Sequence, residues 1–352
     1  MKSATLLSER LRSHRLSAPA RTVTDAAAHM LAVQSQDFTA GRWVLASRTR
    51  GEPTIRSVDR AFDRGELVRA WTMRGTLHTI AARDLGWVLS VTGERQRQQA
   101  AGRRRDLGID ELMLAAAREA VVPRLRDGGL TRAEMFLAFQ GAGIDPTGQR
   151  GIHLLSELTL RGLVCQGPVV AREGVSREQR FVLVEEHIRE HEHPADPLAE
   201  LFVRYIDGHG PATVADFAWW SGLTLGLSGE ARESASGRVV EVDDGLFTAV
   251  LRPRRTGGAA SVHALAAFDE YYISYADRSA VCAPENLAAV GPGKNGMVRA
   301  TLVAEGRVVG CWTHAAASLG TPPEFFEDVG GEAVDADAVQ EALARFTRFL
   351  GE

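Results

Sequence analysis

Cysteine is scarce in this sequence of 352 residues, and long apolar runs are absent from it. The three cysteines, Cys165, Cys282 and Cys311, are widely spaced and form no CxxC pair. This excludes a disulfide framework or a cysteine-rich zinc site, and it favours a reducing compartment. No apolar run approaches the ~18 residues of a membrane span, and the N-terminal stretch lacks the apolar core of a signal peptide. We therefore expect a soluble, non-secreted, cytoplasmic protein.

Lysine is nearly absent, and the basic residues are unevenly distributed. Lys2 and Lys294 are the only lysines among 41 basic residues. Codon bias accounts for most of this preference for arginine, but it would act along the whole chain. Residues 1–135 hold 23 basic and 15 acidic residues, whereas residues 136–352 hold 18 and 30, so a net charge of −4 hides values of +8 and −12. The N-terminal third is thus the candidate surface for a polyanion such as DNA.

The middle of the chain predicts a winged helix. Helical apolar spacing covers residues 111–129, 132–139 and 149–162, with Thr131 placed to cap the second helix. Two extended stretches follow, at residues 163–171 and 179–186, separated by a polar turn. Three helices followed by a β-hairpin form a winged helix, a module that binds DNA through its third helix and its hairpin.

This pattern recurs, with Thr213 repeating Thr131 at an offset of 82 residues. The N-terminal part also reads as helices at residues 22–33 and 57–65, followed by a hairpin over 67–81 that turns near Arg74 and Gly75. Beyond about residue 256, strand-like segments such as residues 263–275 precede a final helix with an acidic cap. We predict an α+β fold of tandem winged-helix (helix-turn-helix) modules with a C-terminal β-rich α/β cap. The predicted boundaries are 1–108, 109–194 and 195–255 for the modules and 256–352 for the cap.

A polar cluster interrupts the apolar pattern near the N-terminus. Gln34, Gln36 and Asp37 lie where an apolar-faced helix runs out, and a tryptophan and three arginines follow before residue 51. Residues i and i+2 diverge by about 200° on a regular helix, so both glutamines can serve one site only where the helix frays.

The sequence resembles the winged-helix DNA glycosylases of the AlkZ and YcaQ type. The resemblance is carried by residues 31–37, 74–85, 208–223, 267–279 and 295–312. It implies tandem winged helices around a DNA channel and a catalytic Gln-hydrophobic-Gln or Gln-hydrophobic-Asp motif. Gln34 and Gln36 match the first form, whereas Ser35 departs from the pattern because it is polar, although it is small enough to pack in the same place.

The chemistry of such a motif suits a labile substrate. Glutamine does not titrate, so two amides can orient water and stabilise a developing oxocarbenium ion but cannot act as an ordinary base. An N7- or N3-alkylated purine is already cationic and departs as a neutral base, which leaves an abasic site. Asp37 could serve as the base for the water, but a role in capping or in pairing with an arginine is the preferred interpretation.

The scarcity of amines and metal ligands narrows the mechanism. Glycosylases that also cut the strand form a Schiff base with an amine, and only Lys2, Lys294 and the α-amino group are present. We therefore expect a monofunctional enzyme that uses water and has no lyase activity. His187 and His191 fit a short zinc-peptidase pattern, but they lie in a predicted linker, so no metal or other cofactor is expected.

Contacts to DNA are expected from the basic N-terminal third. For the hairpin the alternatives are equal: either it contacts DNA, or it only packs its own module. For the arginine run of residues 94–108, which includes Arg103, Arg104 and Arg105, the alternative is a solvated helix face. The candidate DNA-binding residues are Arg42, Trp43, Arg69, Arg74, His78, Arg103, Arg104 and Arg105.

The expected partner is double-stranded DNA with alkylated bases, bound by a monomer associated with the nucleoid. The competing hypothesis is a winged-helix DNA-binding protein without catalysis, either a regulator or a lesion-sequestering resistance protein. The residues show neither a recognition helix rich in Asn, Gln and Arg nor a dimerisation segment, which weighs against a regulator. The segment 267–279 has no assigned role beyond tying the cap to the modules through ion pairs.

Overall fold

Residues 1–250, 261–327 and 334–351 are described by the computed structural model, which is a mixed α/β structure with antiparallel sheets. The chain divides into two units, Asp59–Pro197 and a unit that combines Met1–Val58 with Leu198–Glu352. The boundary that the sequence predicts between residues 255 and 256 lies outside the described residues. In the described chain, no helix is both long enough and apolar enough to span a bilayer.

The N-terminal part of the first unit contains helices and one very short strand. These are α1 (Ser3–Ser13), α2 (Val23–Met30), β1 (Val33–Gln34) and α3 (Phe38–Ser47). The Thr22 side chain caps α2 by accepting a hydrogen bond from the Asp25 N–H at 3.0 Å. Leu31 has a φ of 61°, which ends the helix. The helix predicted over residues 22–33 thus ends earlier than expected, and Val33 lies in the strand β1 instead.

The second unit, whose first residues lie within α4, holds two hairpins and the longest helix. Its elements are α4 (Ile55–Asp63), β2 (Leu67–Met73), β3 (Thr76–Ala81), a 3-10 turn (Ala82–Asp84), α5 (Leu85–Asp106), α6 (Glu111–Leu125), α7 (Arg132–Gly141), α8 (Arg150–Leu160), β4 (Val164–Val169), β5 (Gln179–Leu183) and α9 (Val184–His187). The predicted turn is confirmed: Arg74 and Gly75 both have positive φ, which suits a two-residue hairpin turn. Because α9 ends at His187, the two histidines of the zinc-peptidase pattern, His187 and His191, do not lie on one helix.

Both hairpins of this unit belong to one antiparallel sheet, in which the strands follow the order β3, β2, β4, β5. The pair Arg69 and Gln166 joins the hairpins. The sequence assigned residues 59–108 to a module with the N-terminal helices. In the structure they belong to the same unit as residues 109–197, because edge strands of two hairpins satisfy their backbone hydrogen bonds by pairing with each other.

The rest of the first unit repeats the three helices and hairpin and then adds a second sheet. Its elements are α10 (Pro197–His209), α11 (Val214–Ser221), α12 (Leu225–Ser234), β6 (Val239–Asp243), β7 (Leu246–Ala249), β8 (Val262–Leu265), α13 (Glu270–Ile273), a 3-10 turn (Pro284–Asn286), α14 (Leu287–Val290), β9 (Thr301–Ala304), β10 (Arg307–Cys311), α15 (His314–Ser318), β11 (Glu324–Phe325) and α16 (Ala336–Leu350).

The offset of 82 residues is matched by equivalent local geometry. Thr131 and Thr213 both form capping boxes, with Glu134 and Asp216 respectively. The residue before each cap forms an isolated antiparallel bridge with the second strand of the following hairpin, Leu130 with Phe181 and Ala212 with Phe247. The predicted order of three helices and a hairpin is therefore confirmed at both places.

The C-terminal sheet has the strand order β11, β10, β9, β8, and its core includes Leu265 and Val303. The strand predicted over residues 263–275 is only partly correct, because β8 ends at Leu265. The Asp269 side chain then accepts a hydrogen bond from the Tyr271 N–H at 2.9 Å and starts the helical turn α13. The final helix and its acidic cap, Asp335, are as predicted.

Candidate active site

The two glutamines of the polar cluster lie in the non-helical link between α2 and α3. Gln34 is the last residue of β1 and is 9% exposed, whereas Gln36 is exposed. Because α2 ends at Met30, the 200° divergence of a regular helix does not apply to these side chains. The sequence predicts that both glutamines can serve one site only where the helix frays. The helix α2 does end before both of them.

Ser35 is fully buried between the two glutamines. Its Oγ donates a hydrogen bond to the Val33 carbonyl oxygen at 2.9 Å. Gly41 on α3 lies directly against it, because a Cβ atom at residue 41 would approach Ser35 Oγ to 2.1 Å. The hydroxyl is thus satisfied locally, so that a polar residue fits a buried position.

Asp37 is exposed and caps α3. Its Oδ1 accepts a hydrogen bond from the Ala40 N–H at 3.0 Å, and its backbone is extended, as an N-cap requires. Asp37 therefore forms the cap that the sequence predicts.

A carboxylate from the far end of the chain reaches this link. Glu270 Oε1 accepts a hydrogen bond from the Gln34 N–H at 2.7 Å, and Glu270 is fully buried. Its neighbour Asp269 forms a buried, two-pronged ion pair with Arg48, at 2.6 and 3.0 Å. The role expected for segment 267–279, an ion pair between distant parts of the chain, is present. The contact of Glu270 with Gln34 was not predicted from the sequence.

Buried histidines and tyrosines surround the Glu270 side of the link. Glu270 Oε2 lies 3.9 Å from His209 Nε2 and accepts a hydrogen bond from Ser274 Oγ. The Tyr275 hydroxyl donates to the His209 carbonyl oxygen at 2.6 Å, so His14 Nε2, at 2.8 Å, donates to the Tyr275 oxygen. Burial above all, and nearby positive charge, hold the pKa of His14 well below its usual value, so this imidazole is neutral near pH 7.

Arg42 and Trp43 do not occupy the exposed positions that a contact to DNA needs. Arg42 is fully buried, and its guanidinium lies 4.1 Å from the centre of the Phe38 ring. Trp43 is 3% exposed and donates its indole N–H to the Ala264 carbonyl oxygen at 2.8 Å. Its ring packs against Phe346 and Phe349. Both side chains stabilise the first unit, and neither geometry favours DNA binding.

The hairpin residues of the second unit make polar contacts within that unit, where Arg69 and His78 are buried and Arg74 is half-buried. Arg69 donates to Gln166 Oε1 at 2.7 Å. The His78 Nδ1 lies 3.2 Å from the Thr76 carbonyl oxygen, which can only accept, so Nδ1 carries the proton and Nε2 accepts from Arg74 at 3.3 Å. Burial first, and the Arg74 charge second, lower the pKa of His78 well below its usual value. His78 is fully buried, which favours the packing alternative for this residue.

The arginine run on α5 separates into residues with different environments. Arg104 is bound to Glu157 Oε2 at 2.9 Å and to the Arg97 carbonyl oxygen at 2.8 Å. Glu157 is 1% exposed and also pairs with Arg97 and Arg161. Arg103 is exposed and contacts Gln149 at 2.9 Å, while the exposed side chain of Arg105 has no hydrogen-bond or ion-pair partner among the described residues. Arg103 and Arg105 are therefore the members available for phosphate.

The chain is similar to known proteins along most of its length. A family described as DNA glycosylase AlkZ-like matches residues 27–349. The interstrand DNA cross-link repair glycosylase of Streptomyces sahachiroi is 24% identical over 349 residues, which cover 94% of this chain and 91% of that protein. The solved structure of the Streptomyces sahachiroi DNA glycosylase AlkZ is similar in fold, with a TM-score of 0.81 at 22% identity. The similarity covers 100% of this chain and 97% of the chain in that structure.

Proposed function

The chain belongs to the AlkZ-like DNA glycosylase family, and we propose that it hydrolyses the N-glycosidic bond of alkylated purines and leaves an abasic site. The proposed substrates are N7 or N3 adducts in double-stranded DNA, including bulky adducts or crosslinks. The observation that carries this proposal is the link between α2 and α3, in which Gln34 and Gln36 flank the buried Ser35.

In the proposed mechanism the two glutamine amides orient water and stabilise positive charge on the sugar. They do not transfer protons, so the rate depends on a leaving group that is already cationic. Asp37 retains its cap and is the candidate base for the proton that the attacking water releases, because its carboxylate is exposed beside Gln36.

We also propose that the reaction uses water and is not followed by strand cleavage. A lyase step needs an amine, and the sequence offers Lys2, Lys294 and the α-amino group. The α-amino group forms an ion pair with Asp243, which further limits its use as a nucleophile.

The proposed architecture is a series of winged-helix modules at residues 1–108, 109–194 and 195–255, with a cap at 256–352. Residues 59–108 of the first module share one compact unit with the second module. The repeated capping boxes and bridges support the second and third modules. In this arrangement a monomer, associated with the nucleoid, binds duplex DNA through exposed arginines such as Arg103 and Arg105. The roles of Arg69, Arg74 and His78 are then to shape the hairpin.

The test is release of modified base from duplex DNA that carries N7-methylguanine or, separately, a bulky N7-guanine adduct. The cross-link repair activity in the name of the Streptomyces sahachiroi relative is the reason to include the bulky adduct. We expect release by the wild type, with alkali-labile abasic sites and no strand cutting, and loss of release in Gln34→Ala/Gln36→Ala.

Two results would reject this mechanism. Binding without release on both substrates would favour the DNA-binding protein without catalysis. Equal release by the wild type and the double variant would place the chemistry elsewhere, with Asp37 as the next candidate.

A further inference from the structure

The link that carries Gln34 and Gln36 is held by a residue 236 positions away in the sequence. The Gln34 N–H donates to Glu270 Oε1 at 2.7 Å, and both residues are buried. A hydrogen bond from a backbone N–H to a carboxylate is shorter and stronger than one to a neutral acceptor. Glu270 therefore fixes the main chain at the first residue of the motif.

Glu270 is itself held in place from several directions. Its Oε2 accepts from Ser274 Oγ and lies 3.9 Å from His209 Nε2. It is the first residue of α13, which is fixed by Asp269 through the cap on Tyr271 and the ion pair with Arg48. The acceptor for the Gln34 N–H thus has little freedom to move.

A buried carboxylate is an expensive way to satisfy one backbone N–H. Removing a carboxylate from water costs far more than burying an amide or a hydroxyl, and either of those groups could accept the same bond. The contacts of Glu270 include those with Ser274, His209 and the motif. The use of a carboxylate at this position indicates that the backbone at Gln34 must be held rigidly.

We propose that Glu270 is the positioning residue of the Gln34-Ser35-Gln36 motif. It fixes the backbone at Gln34, and through it the direction in which both glutamine amides meet the water and the sugar. The inference rests on the proposed function, because it deepens the account of the same site. Displacement of a positioned group by about 1 Å can lower a rate by about 100-fold, which is the scale on which such a residue acts.

The experiment compares Glu270→Gln, Glu270→Met and the wild type by single-turnover base release with enzyme in excess. Glutamine retains a carbonyl oxygen that can accept from the Gln34 N–H, whereas methionine has similar length but offers only a weakly accepting sulfur. We expect Glu270→Met to lower the single-turnover rate by about 10- to 100-fold. The Kd for the lesion duplex should stay within about 2-fold, because the phosphate contacts that dominate affinity are unchanged. Glu270→Gln should recover most of the rate.

The matched control is Tyr271→Phe, on the same helix. It removes one buried hydrogen bond, from the Tyr271 hydroxyl to the Gly306 carbonyl oxygen, and does not touch the motif. We expect it to lower the melting temperature and to leave the single-turnover rate unchanged. If Glu270→Met does not fold, Glu270→Asp replaces it, because it keeps the charge but is too short to reach both Gln34 and Ser274.

Hydrogen exchange at the backbone N–H of Gln34 distinguishes this inference from the proposed function. Protection should be lost in Glu270→Met and kept in Glu270→Gln, whether or not the protein releases a base. A wild-type rate in Glu270→Met, an equal loss in Glu270→Gln and Glu270→Met, or an unchanged Gln34 exchange rate would each overturn the inference. Absence of release by the wild type would reject the proposed function instead.

Discussion

Gly41 on α3 packs against Ser35 so closely that a Cβ atom at residue 41 would lie 2.1 Å from Ser35 Oγ and 3.1 Å from Ser35 Cα. The first contact involves a side chain that can rotate, but the second involves the backbone of the motif. Ser35, which lies between the two glutamines, is thus confined by α3, a helix that begins only three residues later. A residue larger than glycine at position 41 would therefore displace Ser35 or α3.

The change Gly41→Ala should push the Ser35 backbone away from α3. We expect a loss of about 1–3 kcal/mol in the free energy of unfolding, as for other overpacked sites, together with slower base release. Urea denaturation and single-turnover kinetics measure the two effects. The control is Gly229→Ala on α12, where a Cβ atom meets nothing within 4 Å and should stabilise the helix slightly. Equal stability of the two variants would contradict this prediction.

The buried ion pair of Arg48 and Asp269 predicts a large loss of stability when one partner is removed. Arg48→Met leaves the Asp269 carboxylate buried with its cap on Tyr271 but without its countercharge. We expect a loss of about 3–5 kcal/mol in the free energy of unfolding, measured in urea. The control is the exposed pair of Arg64 with Glu66, where Arg64→Met should cost less than about 1 kcal/mol. Similar losses for both variants would show that burial does not matter here.

Buried neutral histidine makes the protein sensitive to acid. Burial, followed by the charges of Arg345 and Arg48, lowers the pKa of His263 to about 4. Between its unfolded pKa of about 6.5 and this value, only the unfolded state binds the proton. The free energy of unfolding should therefore fall as the pH decreases from 6.5 to 4, by about 1.4 kcal/mol per pH unit from this residue.

The variant His263→Gln removes that contribution. Its free energy of unfolding, measured in urea at pH 7.5, 6 and 5, should fall less steeply with acid than that of the wild type. The loss that remains should reflect other buried histidines, such as His14 and His78, whose pKa values are also lowered. Parallel curves for the two proteins would refute the assignment.

Neighbouring arginines on α5 should respond differently to replacement by alanine. Arg105 is exposed, so Arg105→Ala should reduce the slope of log K against log salt for duplex DNA by about 1 and leave stability unchanged. Arg104 is held by Glu157, so Arg104→Ala should cost about 1–3 kcal/mol in the free energy of unfolding. Fluorescence anisotropy at several salt concentrations and urea denaturation measure these effects. The reverse pattern would mean that Arg104 is the phosphate contact.

The sequence by itself determined the elements that depend on local patterning. Apolar spacing, caps such as Thr131 and Thr213, and the turn at Arg74 and Gly75 act between residues a few positions apart. The helices and hairpins of the second and third repeats were accordingly predicted in the right order. The same locality explains the cap formed by Asp37.

Only the tertiary structure decided which distant residues meet. The contact of Glu270 with Gln34 spans 236 positions, and the pairing of Arg69 with Gln166 spans 97, so no local spacing encodes either. Trp43 and His78, which the sequence offered as DNA contacts, are buried in the structure. The residue type alone does not distinguish a side chain that faces DNA from one that faces a core. Local sequence sets backbone conformation, whereas the choice of partner depends on how buried polar groups are satisfied after the chain has packed.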